Sequence, residues 1–293
     1  MDESEWLADR FEDHRAHLRA VAYRMLGSLT DADDAVQDTW LRVSRAGVDE
    51  IENLGGWLTT IVARVCLNML RSRNVRREDF FGVHLPDPVI RPDGDPQPEK
   101  EALLADSVSL ALLVVLDTLS PAERLAFVLH DMFKVPFEEI ALMVNRSPAA
   151  ARQLASRARR RVKGAEIPAP DPDLANQREV VDAFFLAARG GDFDALIALL
   201  DPAVVLRSDF GARRPSEVFR GTTAVANQAL RGALPAALVR PALVNGAAGA
   251  VITVGGRPFA VMGFTVSQGK IVEIDAISDP ERVRRVAASV LTD

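Results

Sequence analysis

Proline sets the limits on how this 293-residue chain can fold. Phe80 to Pro98 reads FFGVHLPDPVIRPDGDPQP, where five prolines and several aspartates prevent a continuous helix or a central strand. A second break, AEIPAPDP from Ala165 to Pro172, reads as a short, stiff linker. The chain therefore parses into units at 1–79, 99–164 and 175–293, joined by segments 80–98 and 165–174. The first two units lack strand signals and are predicted all-α. The third offers helices at Asn176 to Arg189 and Phe193 to Leu200, a strand in AVVLRSD, three β-rich runs (GAVITVGG, RPFAVMGFTVSQG, KIVEIDAIS) and a last helix from Pro280. A helical hairpin packed on a curved antiparallel sheet closes such a pattern, so the predicted class is two all-α domains followed by an α+β domain.

Charge is unevenly spread. The formal net charge is -6, yet Val144 to Gly164 carries seven basic and no acidic side chains. Ser147 can cap a helix there, with Pro148 at its first position. Ala151, Leu154, Ala158 and Val162 recur at helical spacing as an apolar stripe, while Ala149, Gln153, Ser156 and Arg160 lie opposite, flanked by Arg152, Arg157 and Lys163. Upstream, PFEEIALMV places Phe137, Ile140, Ala141 and Val144 on one helical face, and Asn145 suits a tight left-handed turn before Arg146. SPAERLAFVLHDMF opens with Ser120, Pro121 and Glu123 in the capping-box arrangement. Short helices with a tight turn before a basic one describe a helix-turn-helix that reads the major groove. A small bundle with a merely solvated basic face is the bland alternative.

The first unit has an acidic counterpart. SLTDADDAVQDTWLRV offers Thr30 as a cap, then Asp31, Asp33 and Asp34 in the first turn, with Gln37 and Asp38 beyond. IENLGGWLTTIVARVCLNMLRSRNVRR sets Trp57, Ile61, Val65 and Cys66 toward a core and leaves Arg64, Asn68 and Arg71 on a positive edge suited to DNA backbone contact. The single cysteine excludes an internal disulfide and gives no metal cluster, which fits a reducing cytoplasm. The N-terminus does not read as a signal peptide, and no apolar run approaches the roughly 18 residues of a membrane span. A cytoplasmic protein without membrane contact, cofactor or metal is expected.

DADDAVQDTWLRV, GGWLTTIVARVCLNMLRSRNVRR and the stretch from LDTLSPAERLAF to ASRARRRV, taken in this order, resemble the two domains of extracytoplasmic-function (ECF) sigma factors of the sigma-70 family. The resemblance implies binding to core RNA polymerase through its β′ clamp helices and β flap, recognition of promoter -10 and -35 elements, and transcription initiation. It carries polymerase binding to Asp31, Asp33, Asp34, Gln37 and Asp38. Recognition of -10 DNA falls to Asn53, Trp57, Arg64, Asn68 and Arg71, with Asn68 where many members carry Asp. Recognition of -35 DNA falls to Arg146, Arg152, Gln153, Ser156, Arg157 and Arg160, Gln153 being the most sequence-selective candidate.

The third unit is similar to the SnoaL-like or NTF2-like cone fused to a subset of these factors. Three motifs of that subset appear in altered form: HLPDP at His84, Leu85, Pro86, Asp87 and Pro88; DFGAR, including Asp209 and Arg213; and DPERV, beginning Asp279 and Pro280. The resemblance implies regulatory contacts through these residues, with the tail touching the first domain and the linker. Arg207, Asp209 and Asp275 are the polar groups that could serve catalysis in a pocket. All four histidines and the only tyrosine lie outside this unit, however, so no catalytic residue is assigned. A pocket filled by Phe259, Met262 and Phe264 that serves regulation is the expectation. A ligand-sensing one-component DNA-binding regulator and a pocket enzyme with a DNA-targeting arm remain as alternatives.

Overall fold

The computed structural model describes residues 3–46, 53–76, 84–93, 108–165, 169–211 and 214–291. The chain divides into two compact units, residues 1–80, 102–104 and 112–166 in one and 81–101, 105–111 and 167–293 in the other.

The described part of the first unit is helical. Helices α1 (Glu3–Leu26), α2 (Leu29–Ala46) and α3 (Leu54–Arg76) pack around Leu18, Val21, Tyr23, Leu58, Val62 and Leu67, all buried. Helix α2 starts earlier than Thr30 would allow as a cap: the Ser28 hydroxyl accepts the Asp31 amide at 3.3 Å and takes the capping role instead. Then come α4 (Leu110–Asp117), whose first two residues count with the second unit, and α5 (Pro121–Phe127), which runs into a π-helical turn at Val128–Met132. The capping box forms: Ser120 accepts from the Glu123 amide, and the Glu123 carboxylate accepts from the Ser120 amide. Arg124, buried, donates to the Arg24 carbonyl at 3.2 Å and pairs with Asp117 at 3.0 Å, tying α5 to α1.

Helices α6 (Phe137–Val144) and α7 (Pro148–Gly164) meet at Asn145, whose φ of 54° is the left-handed conformation expected of the turn. Ser147 accepts the Ala150 amide at 3.2 Å and caps α7. The apolar face of α7 differs from the expected stripe. Ala151, Ala155 and Ala158 are buried, whereas Leu154 and Val162 are only half-buried. Methyl-sized side chains let α7 approach α5 closely, and the larger Leu154 and Val162 sit at the margins of that contact.

The second unit is α+β. Helices α8 (Leu174–Gly190) and α9 (Phe193–Leu199) lead into a seven-stranded sheet ordered β1-β4-β5-β6-β7-β2-β3. The strands are β1 (Ile90–Pro92), β2 (Leu200–Asp209), β3 (Glu217–Arg220), β4 (Ala237–Val244), β5 (Ala247–Val254), β6 (Arg257–Ser267) and β7 (Lys270–Ile277). Helix α10 (Thr222–Gly232) lies between β3 and β4, and α11 (Pro280–Val286) and α12 (Ala288–Leu291) follow β7. The sheet is not wholly antiparallel as expected, because β2 runs parallel to β7. That pairing is reached only after the long excursion through β3 to β6, the kind of connection a parallel pair requires. Val181, Phe184, Leu196, Val204, Leu206 and Ile274 form the core between the helices and one sheet face. Phe264, expected in a pocket wall, belongs to this core, where it meets Phe184 and Phe185 edge-on at centroid distances of 5.4 and 5.6 Å.

The proline-rich stretch supplies β1. It sits at the outer edge of the sheet against β4, where Pro92 withholds no ladder donor that an interior strand would need.

Candidate nucleic-acid interface and linker latch

Along α7, Gln153, Ser156 and Arg160 are exposed at spacings of three and four residues and so share one face. Their neighbours are partly neutralised. Arg152 pairs with Glu138 at 2.8 Å, Arg157 lies 3.7 Å from Glu123, and Arg159 pairs with Asp131 at 2.7 Å. Arg146, in the turn, and Arg160 make no ion pair among the described residues. Burial alone would raise the Glu123 carboxyl. Its hydrogen bonds to Ser120 and the nearby Arg161 and Arg157 outweigh burial and hold it below its usual value.

On α3, Arg64, Asn68 and Arg71 are exposed at helical spacing, and the half-buried Trp57 and Ile61 continue the same line toward the helix start. Asn53 is exposed and its side chain accepts the Gly56 amide at 3.0 Å, so it caps α3. Val65 and Cys66 are buried, and burial pushes the Cys66 thiol up, away from reactivity. On α2, Asp31 pairs with Arg73, Asp33 with Arg19 at 2.5 Å and Asp38 with Arg42 at 2.9 Å. Asp34 and Gln37 face solvent, joined by Leu41, an exposed apolar side chain that periodicity does not single out.

Residues of the linker motif HLPDP and of the tail motifs DFGAR and DPERV come together in the second unit. Leu85, Pro86, Asp87 and Pro88 are buried against it, while His84 is exposed. Asp209, 2% exposed, accepts the Leu85 amide at 2.9 Å and lies 3.3 Å from His84 Nδ1. Asp279 caps α11 by accepting the Arg282 amide at 2.8 Å, with Pro280 exposed in the first turn. That cap aims the Arg282 guanidinium at the linker: Nε to Asp87 at 2.8 Å, Nη1 to Asp209 at 2.7 Å, and Nη2 to the Leu85 carbonyl at 2.6 Å. Gly211, at φ +70°, donates to Asp209 at 2.9 Å, and a Cβ there would collide with the Asp279 carboxylate. Glycine is therefore required at this one position of DFGAR. Arg213 lies outside the described residues. Burial would raise the Asp209 carboxyl, but bonds from His84, the Gly211 and Leu85 amides and the Arg282 charge hold it well below the carboxylate range.

A second anchor was not visible in the sequence. Asn245 donates its amide N–H to the Val89 carbonyl at 2.9 Å, accepts the Val89 amide on its side-chain oxygen at 3.0 Å and donates to the Val108 carbonyl at 3.1 Å. The Asn-Gly pair at 245–246 does signal a two-residue hairpin turn, and both residues have positive φ, 49° and 79°. Nothing in the pair signals that the turn also grips the linker. Arg282 lies within DPERV, yet nothing in that motif says that its side chain turns toward the linker, since an arginine in a short helix ordinarily reads as solvated.

On the far side of the sheet from this latch lies a cavity of about 530 Å³. Phe259 and Met262 line it without filling it. Arg207, Glu273 and Asp275 form a separate cluster, with Arg207 at 2.9 Å from Glu273 and 3.0 Å from Asp275. Burial pushes the Asp275 carboxyl up to about 6 against the pull of Arg207. No helix among the described residues is long and apolar enough to cross a membrane.

The chain matches the Sigma-70 region 2 family over residues 10–76 and the Sigma-70, region 4 family over residues 109–162. It is 38% identical to the ECF RNA polymerase sigma factor SigJ of Mycobacterium tuberculosis, over 93% of this chain and 91% of that one. It is 34% identical to the probable ECF RNA polymerase sigma factor SigI of the same species, over 94% of each. The crystal structure of M. tuberculosis SigJ superposes with a TM-score of 0.74 at 36% identity, covering 94% of this chain and 97% of that one. Both likenesses extend through the tail, so the one-component regulator and pocket-enzyme readings give way. The chain belongs to the ECF sigma factors, proteins that bind core RNA polymerase, recognise promoter elements and start transcription.

Proposed function

We propose that the tail, read as a SnoaL-like or NTF2-like domain, regulates this sigma factor by holding the linker in a latch centred on Arg282. The observation that carries the reading is the single guanidinium shared by Asp87 and the Leu85 carbonyl of the linker and by Asp209 of the tail. Three ligands on one cation make the latch cooperative, and its burial makes release all-or-none. Polymerase and promoter then compete with the latch for the linker, a two-state equilibrium that favours whichever partner binds more tightly.

In this reading Asp34 and Gln37, with Leu41 beside them, form the polymerase-facing part of α2. Asp31, Asp33 and Asp38 would exchange their intramolecular arginines for polymerase groups. Trp57, Arg64, Asn68 and Arg71, with Asn53 at the helix start, take the -10 strand. Gln153, Ser156 and Arg160 read -35 DNA with Arg146, while Arg152 and Arg157 exchange their carboxylate partners for phosphates.

In-vitro transcription with core RNA polymerase, using the full chain and its Arg282→Ala variant, tests the latch. Transcript yield at limiting sigma factor should change. A rise means that docking restrains the linker, and a fall means that polymerase accepts the docked form. Equal yields from two equally folded proteins would sink the regulatory reading.

A further inference from the structure

The tail cavity, about 530 Å³, falls within the roughly 300–1,000 Å³ typical of small-molecule sites. Strand alternation decides what faces it. Leu206 and Ser208 of β2 and Ile274 and Ala276 of β7 line the cavity, so the intervening Arg207, Asp209 and Asp275 point to the opposite face. The ion cluster of Arg207, Glu273 and Asp275 therefore stands outside it. Among the described residues, neither a carboxylate nor a histidine lines the wall, which leaves no group to shuttle a proton and makes this a binding cavity.

What remains is apolar surface and positive charge. Phe184, Phe185, Val239, Ile252 and Met262 supply the wall, and the exposed Phe259 and Leu234 extend it outward. The formal charges in the lining are Arg189, Arg214 and Arg231. Arg214 is already occupied, pairing with Glu217 at 2.9 Å and stacking 3.8 Å over the Phe210 ring. Among the described residues Arg231 bonds only the neutral Gln228 side chain, at 3.1 Å, and Arg189 has no carboxylate partner. An apolar chamber bearing two uncompensated guanidinium groups and no acid selects one chemistry. We infer that the cavity binds an amphiphilic monocarboxylate, its hydrocarbon body inside and its carboxylate on Arg189 and Arg231.

The position of the site gives it a use. Ser208 and Phe210 of the wall flank Asp209, and Ser278 of the wall donates its amide to the Asp209 carbonyl at 2.8 Å. Ligand in the cavity thus bears on the backbone that carries the latch carboxylate, a consequence that rests on the latch reading, whereas binding itself does not.

Calorimetric titration of the full chain with dodecanoate, with dodecanol as the uncharged control, tests the binding. Saturable binding of dodecanoate is expected, with dodecanol about tenfold weaker. The double variant Arg189→Ala/Arg231→Ala should lose about tenfold in dodecanoate affinity and leave dodecanol unchanged. Ala276→Phe, which projects a ring into the chamber, should abolish both. Absence of dodecanoate binding to the folded wild-type chain overturns the inference, as does equal affinity for dodecanol or survival of binding in a folded Ala276→Phe chain. If Ala276→Phe does not fold, the arginine variant decides alone, because both arginines are exposed; unchanged dodecanoate affinity then overturns it. The latch reading is judged by transcription from the Arg282→Ala chain and the cavity by dodecanoate binding to the wild-type chain, so the two readings fail separately; a changed dodecanoate affinity in Arg282→Ala would report the coupling between them.

Discussion

Removing the Arg282 side chain would take from Asp87 and Asp209 the cation they share inside the tail, while both carboxylates stay buried. Breaking one side of a buried ion pair costs about 3–5 kcal/mol, because the remaining charge keeps its desolvation penalty. Arg282→Ala should therefore loosen the linker by about that amount, seen as faster proteolysis near Leu85. Arg282→Lys should recover only part of the loss, since an ammonium cannot reproduce a planar fork that serves three acceptors at once. Asp209 gives the same latch an acid limit. Its folded-state carboxyl titrates below its unfolded value near 3.8, so its contribution is complete above that pH and is lost as pH falls through the lower, folded value. Acid unfolding followed from pH 7 down to pH 2 should show a drop below about pH 4. The Asp209→Asn chain should lose that part of the slope and start from lower stability at neutral pH. Asp87, Asp209 and Asp279 stand out in the sequence because they fall in recognisable motifs. Arg282 lies in DPERV as well, but its role and that of Asn245 depend on burial and partner choice, which arise from the tertiary fold that brings residues 85 and 282 together across 197 positions.

Helix α7 illustrates which features of an element can be read in advance. Its cap, its first-turn proline and its basic outer face follow from local chemistry and appear as expected. Periodicity places Ala151, Leu154, Ala158 and Val162 on its buried stripe; Ala151 and Ala158 are buried, but Leu154 and Val162 are only half-buried and Ala155, which the stripe omits, is buried instead. Substituting Gln153 with Ala should relax discrimination at one -35 base pair, costing about 1–3 kcal/mol on the preferred sequence, as measured by holoenzyme binding to a panel of promoter duplexes. Arg160→Ala should instead weaken all sequences alike and lower the salt dependence by about one unit. If both variants behave identically, the division between base reading and phosphate contact on this face is wrong. In the tail, β3, α10 and β4 carry weak sequence signals. Helix α10 follows Gly221 with no side-chain cap, and β4 reads ALVRPALV, where Pro241 and a lack of alternation hide the strand. Strands β5, β6 and β7, rich in Val, Ile and Phe and separated by glycines, were visible.

Each compact unit has its own buried core, so calorimetry of the full chain should resolve two unfolding transitions. Arg282→Ala should move only the one that belongs to the tail. A single transition, shifted as a whole, would mean that the units unfold together. Sequence composition marks the proline-rich stretch as an interruption, and its described residues, 84–93, are not helical. What composition does not reveal is that this stretch completes the sheet of the distant tail, because a three-residue edge strand leaves no periodic trace. This has a consequence for the released state. Ile90, Arg91 and Pro92 pair with Val244, Leu243 and Ala242, and so cover the outer border of β4. Were the linker released as proposed, that border would lose its neighbour and offer unpaired backbone donors and acceptors to any extended segment that met it. The strand best fitted to fill the gap is the same segment of another copy. Release as proposed would therefore leave one chain with both halves of a strand exchange, and the concentration of the protein itself would then help to govern how long it stays open.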